Sequence, residues 1–122
     1  MTAFLVVVVD PGAEPVRVQW SLDGQTCLSA LQAAVQGYVD VVRLTDTLDM
    51  WVNEEGAFTA ALNPLASAIA AVFSARTGTA RQPYFYGPAV FTGGADPEGA
   101  TLPLQPTQAD EVVAIARRLL AA

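Results

Sequence analysis

Histidine and lysine are absent from this chain, and cysteine occurs once, at Cys27. These gaps remove whole classes of chemistry: a Ser-His or Cys-His nucleophile, a phosphate-loop lysine, a Schiff base, and a Cys/His zinc centre. A single thiol forms no internal disulfide. Cys27 opens an apolar helical pattern with Leu28, so it reads as a small buried hydrophobe. Positive charge is scarce as well. All six basic residues are Arg, set against twelve acids, for a net charge of −6 and a pI near 4.2. That balance repels a phosphate backbone, so nucleic acid is not an expected partner.

Long apolar runs are short or broken. Residues 3–9 are apolar, but they lack a basic leader and a small-residue cleavage site and stop at the turn Asp10-Pro11-Gly12, which reads as a buried strand and not as an export signal. Residues 57–75 are rich in Ala and are interrupted by Asn63-Pro64, which disqualifies them as a membrane span. The expected location is therefore the cytoplasm, with no membrane partner. The chain does hold plenty of apolar material: 52% of its 122 residues are hydrophobic, 15% are charged, and the mean hydropathy is +0.37. A chain of this size buries about two-thirds of its unfolded surface, so a single domain over residues 1–122 is expected to fold without metal or disulfide.

Periodicity gives the order of elements. Residues 4–9 are β-branched and apolar on both sides, as in a strand covered on two faces. Val16-Arg17-Val18-Gln19-Trp20 alternates, the two segments read as a hairpin turning through Asp10-Pro11-Gly12, and Asp23-Gly24 closes the second strand. Thr26 is placed to cap a helix carrying Cys27, Leu31 and Val35, ended by Gly37 at the left-handed position. Residues 38–44 and 48–52 alternate as two further strands, with a turn at Asn53-Glu54-Glu55-Gly56. Asn63-Pro64 is a double helix-start signal, and Leu65, Ile69, Val72 and Phe73 form one stripe before Gly78. Tyr84-Phe85-Tyr86 and Ala89-Val90-Phe91 read as a strand region broken by Gly87-Pro88, which suggests a sheet edge or bulge. Thr107 is placed to cap a last helix that ends in Arg117-Arg118. The order ββα, ββ, α, β, α predicts an α+β fold: a mostly antiparallel mixed sheet with about three helices packed on it.

Several of these pieces, in this order, resemble the domain-of-unknown-function family 3846, small uncharacterised proteins of bacteria and their phages. They are the strand ending in Asp10-Pro11-Gly12, Leu31-Gln32 leading to Gly37-Tyr38-Val39-Asp40-Val41-Val42, and Asn53-Glu54-Glu55-Gly56, followed by Asn63-Pro64-Leu65-Ala66 and Gly87-Pro88-Ala89-Val90-Phe91. The likeness runs from Phe4 to about Gly99, and the Ala-rich helix and residues 76–86 depart from it. It implies a setting among phages and mobile elements and brings no assigned activity.

Six residues form the candidate ligand site: Asn53, Glu54, Gly56, Asn63, Tyr86 and Gly87. The two amides stand at element ends where backbone donors are near, although Asn is also the usual residue for shaping a turn and capping a helix. If capping is all that Asn63 does, Asn63→Asp should be nearly neutral. Adjacent Glu54 and Glu55 are the residue type of carboxylate hydrolysis, but a turn offers no desolvation to raise one of them, and no residue is assigned as catalytic. Asp96, Glu98 and Gly99 lack the ligand alternation of a calcium loop, so neither a metal nor another cofactor is expected. Tyr84 and Tyr86, near Arg81, could stack on a planar ligand, whereas strand alternation puts Phe85 in the core and both Tyr outside. The acids are too scattered for a DNA mimic.

The expected function is a non-enzymatic accessory protein of phage or mobile-element type that binds a host protein or a small ligand. A hydrolase using Asp or Glu, with or without Mg²⁺, is the alternative. The nearly all-round apolar helix over residues 64–75 must sit deep in the core or meet another chain, and a homodimer through it, or through residues 84–91, is expected.

Overall fold

The computed structural model describes residues 2–7, 10, 12–20, 24–80 and 82–121. Alternation decides the sheet. In strand β1 (Thr2–Val7) Leu5 and Val7 enter one buried cluster and Phe4 the other, so the apolar run is a strand with a layer on each face. Val8, Val9 and Pro11, with which the expected strand and turn finish, lie outside the described residues, and so does Asp23.

Strand β2 (Val16–Trp20) pairs with β1, and helix α1 (Gly24–Val35) crosses to the hairpin of β3 (Val39–Thr45) and β4 (Leu48–Asn53). A single turn, α2 (Gly56–Thr59), precedes helix α3 (Pro64–Thr77); strand β5 (Ala89–Gly93) and helix α4 (Pro106–Ala121) complete the chain. The sheet order is β2-β1-β5-β4-β3, and every pairing is antiparallel. The fold is α+β, with three long helices and one short one, as the sequence predicts.

On one face, Leu5, Val7, Met50 and Phe91 pack with Ile69 and Phe73 of α3 and Val112 and Ile115 of α4. On the other, Phe4 and Val90 meet Cys27, Leu31 and Val35 of α1, with Trp51 at the margin. Each such side chain contributes roughly 1.5–3 kcal/mol of burial. Cys27 is the buried hydrophobe expected of it.

Helix α3 starts and stops where its signals say. The Asn63 side chain accepts from the Ala66 N–H, Pro64 follows it, and Gly78 closes the helix in the left-handed conformation. Ala66, Ile69, Ala70 and Phe73 are buried, Leu65 and Val72 pack on the same cluster, and the exposed apolar positions are Ala71 and Ala75. The bulky side chains that prompted an expected dimer are thus accommodated within the chain.

Four local expectations need correction. Helix α1 begins before Thr26, which lies inside it. Its left-handed residue is Gln36 (φ 64°), while the Gly37 N–H returns to the Gln32 carbonyl at 3.0 Å; Gly37 is needed for space, as described below. Strand β5 is the central strand and not an edge, because Pro88 stands one residue ahead of the ladder. Helix α4 starts at Pro106, with Thr107 in its first turn; the Gln108 side chain reaches back to the Gln105 N–H at 2.9 Å, a glutamine version of the capping box.

Candidate functional site

Antiparallel register sets the C-terminal ends of β1 and β4 and the N-terminal ends of β3 and β5 at one end of the sheet. All six candidate residues come from segments at that end.

Asn53 ends β4, and its amide joins three segments. Nδ2 donates to the carbonyls of Val35 (3.1 Å) and Gln36 (3.2 Å), the open end of α1, and Oδ1 accepts from the Glu55 N–H at 2.7 Å. A Cβ on Gly37 would lie 2.6 Å from Nδ2, so glycine lets the amide reach the helix end. The Glu54 N–H donates to the Tyr38 carbonyl at 2.9 Å, which leaves the Glu54 and Glu55 side chains in solvent. No hairpin runs from residue 48 to residue 62: β4 lies between β3 and β5, and α2 occupies the return.

Asn63 is 0% exposed. Its Nδ2 donates to the carbonyls of Val7 (3.0 Å) and Gly87 (2.9 Å), its Oδ1 accepts from Ala66, and its own N–H donates to the Phe85 carbonyl at 2.8 Å. Ser67 Oγ donates to the Asn63 carbonyl at 2.8 Å and accepts from the Phe85 N–H at 2.8 Å. Gly87 holds φ 77° while its N–H donates to the Ala61 carbonyl at 2.8 Å. Gly56 is buried where a Cβ would come 2.8 Å from the Tyr86 carbonyl oxygen. Gly56, Asn63, Tyr86 and Gly87 therefore make one knot tying β1, α2, α3 and β5.

Asn63 does more than cap, so the condition under which Asn63→Asp would be nearly neutral is not met. A carboxylate there would set negative charge against two buried carbonyl oxygens with no donor to offer them.

The amides of Asn53 and Asn63 do not converge on an opening: none of the six residues lines the cavities described for this fold. Those cavities lie elsewhere. A mainly apolar cleft of about 260 Å³ is bounded by Pro64, Leu65 and Ala68 of α3 and by Leu119 and Leu120 of α4, with Asp10 and Gly12 at its rim. A groove of about 480 Å³ at the opposite sheet end runs between Thr47, Gly94 and the start of α4, bridged by Gln108 Nε2 donating to the Thr47 carbonyl at 2.7 Å.

Outside the knot, Phe85 is buried, Tyr84 exposed and Tyr86 half-buried, the arrangement that alternation gives. Arg81 lies outside the described residues. Asp96 Oδ1 accepts from the N–H groups of Glu98 (2.9 Å) and Ala100 (2.8 Å), so this carboxylate shapes its own loop. Among the described residues no three His, Cys, Asp or Glu side chains gather as metal ligands. No helix among them is long and apolar enough to cross a membrane.

Two features escape the sequence reading. Asp49, on the α1 face of β4, is 3% exposed; its Oδ1 accepts no hydrogen bond and stands 3.5 Å from Arg43 Nε. Burial pushes this carboxyl above the ordinary aspartate range, and the Arg43 guanidinium partly opposes the rise. Next to it Trp51 Nε1 donates to Thr92 Oγ at 2.9 Å, and Thr92 Oγ donates to the Gly93 carbonyl at 2.8 Å. The alternation of Asp49, Trp51 and Asn53 with Leu48, Met50 and Val52 was the available signal for a strand face of different character. The second feature is Phe58, which α2 holds 91% exposed. It had no signal, because residues 57–62 show neither period.

The pattern described as Domain of unknown function (DUF3846) matches residues 1–117. The chain belongs to the DUF3846 family. The DUF3846 match takes in the Ala-rich helix, residues 76–86 and the first three-quarters of α4, beyond the span over which motifs alone carry the likeness. No curated protein and no solved structure matches this DUF3846 chain.

Proposed function

We propose that this DUF3846 protein is a non-enzymatic accessory module of phage or mobile-element type that acts in the cytoplasm by binding a host protein. The observation that carries the reading is Phe58, 91% exposed on a turn held at one end by the Asn53 amide and at the other by the buried Asn63 knot. A phenylalanine in water forgoes a large burial gain, and here it is accompanied by Tyr38 (73% exposed), Tyr84 (57%) and Leu62 (39%) from neighbouring segments of the same sheet end. Aromatic side chains displayed from a rigid base are the usual anchors of protein interfaces. In this reading Asn53, Gly56, Asn63 and Gly87 hold the display in place, and Glu54 belongs to its surface.

The test is capture from host lysate on immobilised protein, with wild type beside Phe58→Ser. The wild type should retain a defined host protein, and Phe58→Ser should lose it at an unchanged melting temperature. Equal capture by both would overturn the reading, and a metabolite retained in its place would transfer the function to small-ligand binding at the α3/α4 cleft.

A further inference from the structure

Charge is distributed unevenly over the molecule. Three described ion pairs gather around α4: Arg17 with Asp110 at 2.9 Å, Arg117 with Glu14 at 2.7 Å and Arg76 with Glu111 at 3.3 Å. The fourth joins Arg43 to Asp49. None reaches Glu54 or Glu55, which are exposed in the turn between β4 and α2, nor Asp40, two residues on from exposed Tyr38. Backbone bonds from Glu54 to Tyr38 and from Phe58 to Glu55, each 2.9 Å, tie these four exposed residues together at one end of the sheet. This is an aromatic tip with an unneutralised acidic rim.

We infer that the tip of Tyr38, Glu54, Glu55 and Phe58 receives a cationic segment of the partner protein, arginine or lysine side chains lying on the two rings while the two carboxylates meet their charge. The inference rests on the binding reading above and gives its partner a chemistry. A cation over an aromatic face is attracted by the ring quadrupole, and a flanking carboxylate adds charge-assisted hydrogen bonds. The same rim repels nucleic-acid phosphates and anionic lipid headgroups. A second copy offers few free cations, because Arg17, Arg43, Arg76 and Arg117 already have carboxylate partners within their own chain, which leaves Arg118 among the described arginines.

The experiment measures binding of a fluorescein-labelled nona-arginine peptide by anisotropy. Phe58→Ser, which leaves net charge unchanged, and the double variant Glu54→Gln/Glu55→Gln should each weaken binding about tenfold. The double variant Asp46→Asn/Glu98→Gln makes the same charge change on loops at the other end of the sheet and should shift it less than about twofold. Tyr38→Ser repeats the aromatic test on a second exposed residue. Equal weakening by the two double variants, no effect of Phe58→Ser, or no binding by the wild type would each overturn the inference. If lysate capture still depends on Phe58 in any of those cases, the binding reading survives and only the cationic partner falls. A dimer in sedimentation that Phe58→Ser dissociates would assign the tip to a second copy and overturn both.

Discussion

Two buried polar groups, the cap of α3 and a residue of β4, meet opposite circumstances. Asn63, at the strand ends, has both amide hydrogens and its oxygen matched to backbone partners. Asp49, mid-strand on the α1 face, keeps an oxygen that accepts no hydrogen bond, with one arginine whose own side chain is mostly in solvent. An amide suits a place where carbonyls and an N–H converge, since it donates and accepts at once. An ionised carboxylate only accepts, and between strands whose backbone groups are already paired it finds little to accept from. The first group is framework, and the second is a standing cost in the fold.

The largest test of this contrast is Asn63→Asp, which converts the satisfied group into an unsatisfied one. It should cost about 4 kcal/mol or more, a large share of the stability of a chain this size. Asn63→Ala should cost about 2–4 kcal/mol, the sum of a lost cap and two stranded carbonyls. Urea unfolding at neutral pH measures both, and a nearly neutral Asn63→Asp would show that the two carbonyls find other donors. Gly56→Ala comes next, because its methyl must displace the Tyr86 carbonyl; a loss of about 1–3 kcal/mol is expected, with a stability unchanged from wild type as the contrary result.

Asp49→Asn is the smallest change and runs the other way. A folded-state pKa above the ordinary value of 3.8 means that the folded form prefers the proton, so Asp49's contribution is fully present below that pH and is lost as pH rises through the folded value. The neutral amide should therefore raise the melting temperature at pH 7, by about 2–5 °C, and the gain should shrink as the pH is lowered to about 3. A melting temperature that falls at pH 7 would mean that the Arg43 contact outweighs desolvation.

These sites also show where sequence reading succeeds. Asn63-Pro64 and Gly78 announce α3 because capping is local, carried by residues within one turn of each other. The rest of Asn63's role is not local: Val7 is 56 residues away in sequence and Gly87 is 24 away, so nothing near position 63 announces them. A left-handed turn is glycine's usual task after a helix, yet Gly37 is small to admit Asn53, a requirement visible only once β4 has docked. Of the edge or bulge expected at Pro88, the edge fails for a related reason. Proline forbids a ladder bond at its own position and says nothing about the residue that follows.

The central place of β5 has a consequence for how the chain assembles. Residues 2–53 contain both hairpins, each closed by contacts near in sequence, but β1 and β4 are not neighbours and cannot zip together unaided. Residues 89–93 join them, and they follow β4 only after the 35 residues from 54 to 88. Until then the nascent protein holds two separate ribbons with facing unpaired edges, a state open to mispairing with other chains. Only β5 pairs with both ribbons, and all five of its residues are buried, so its amides should be among the slowest in the molecule to exchange with solvent deuterium.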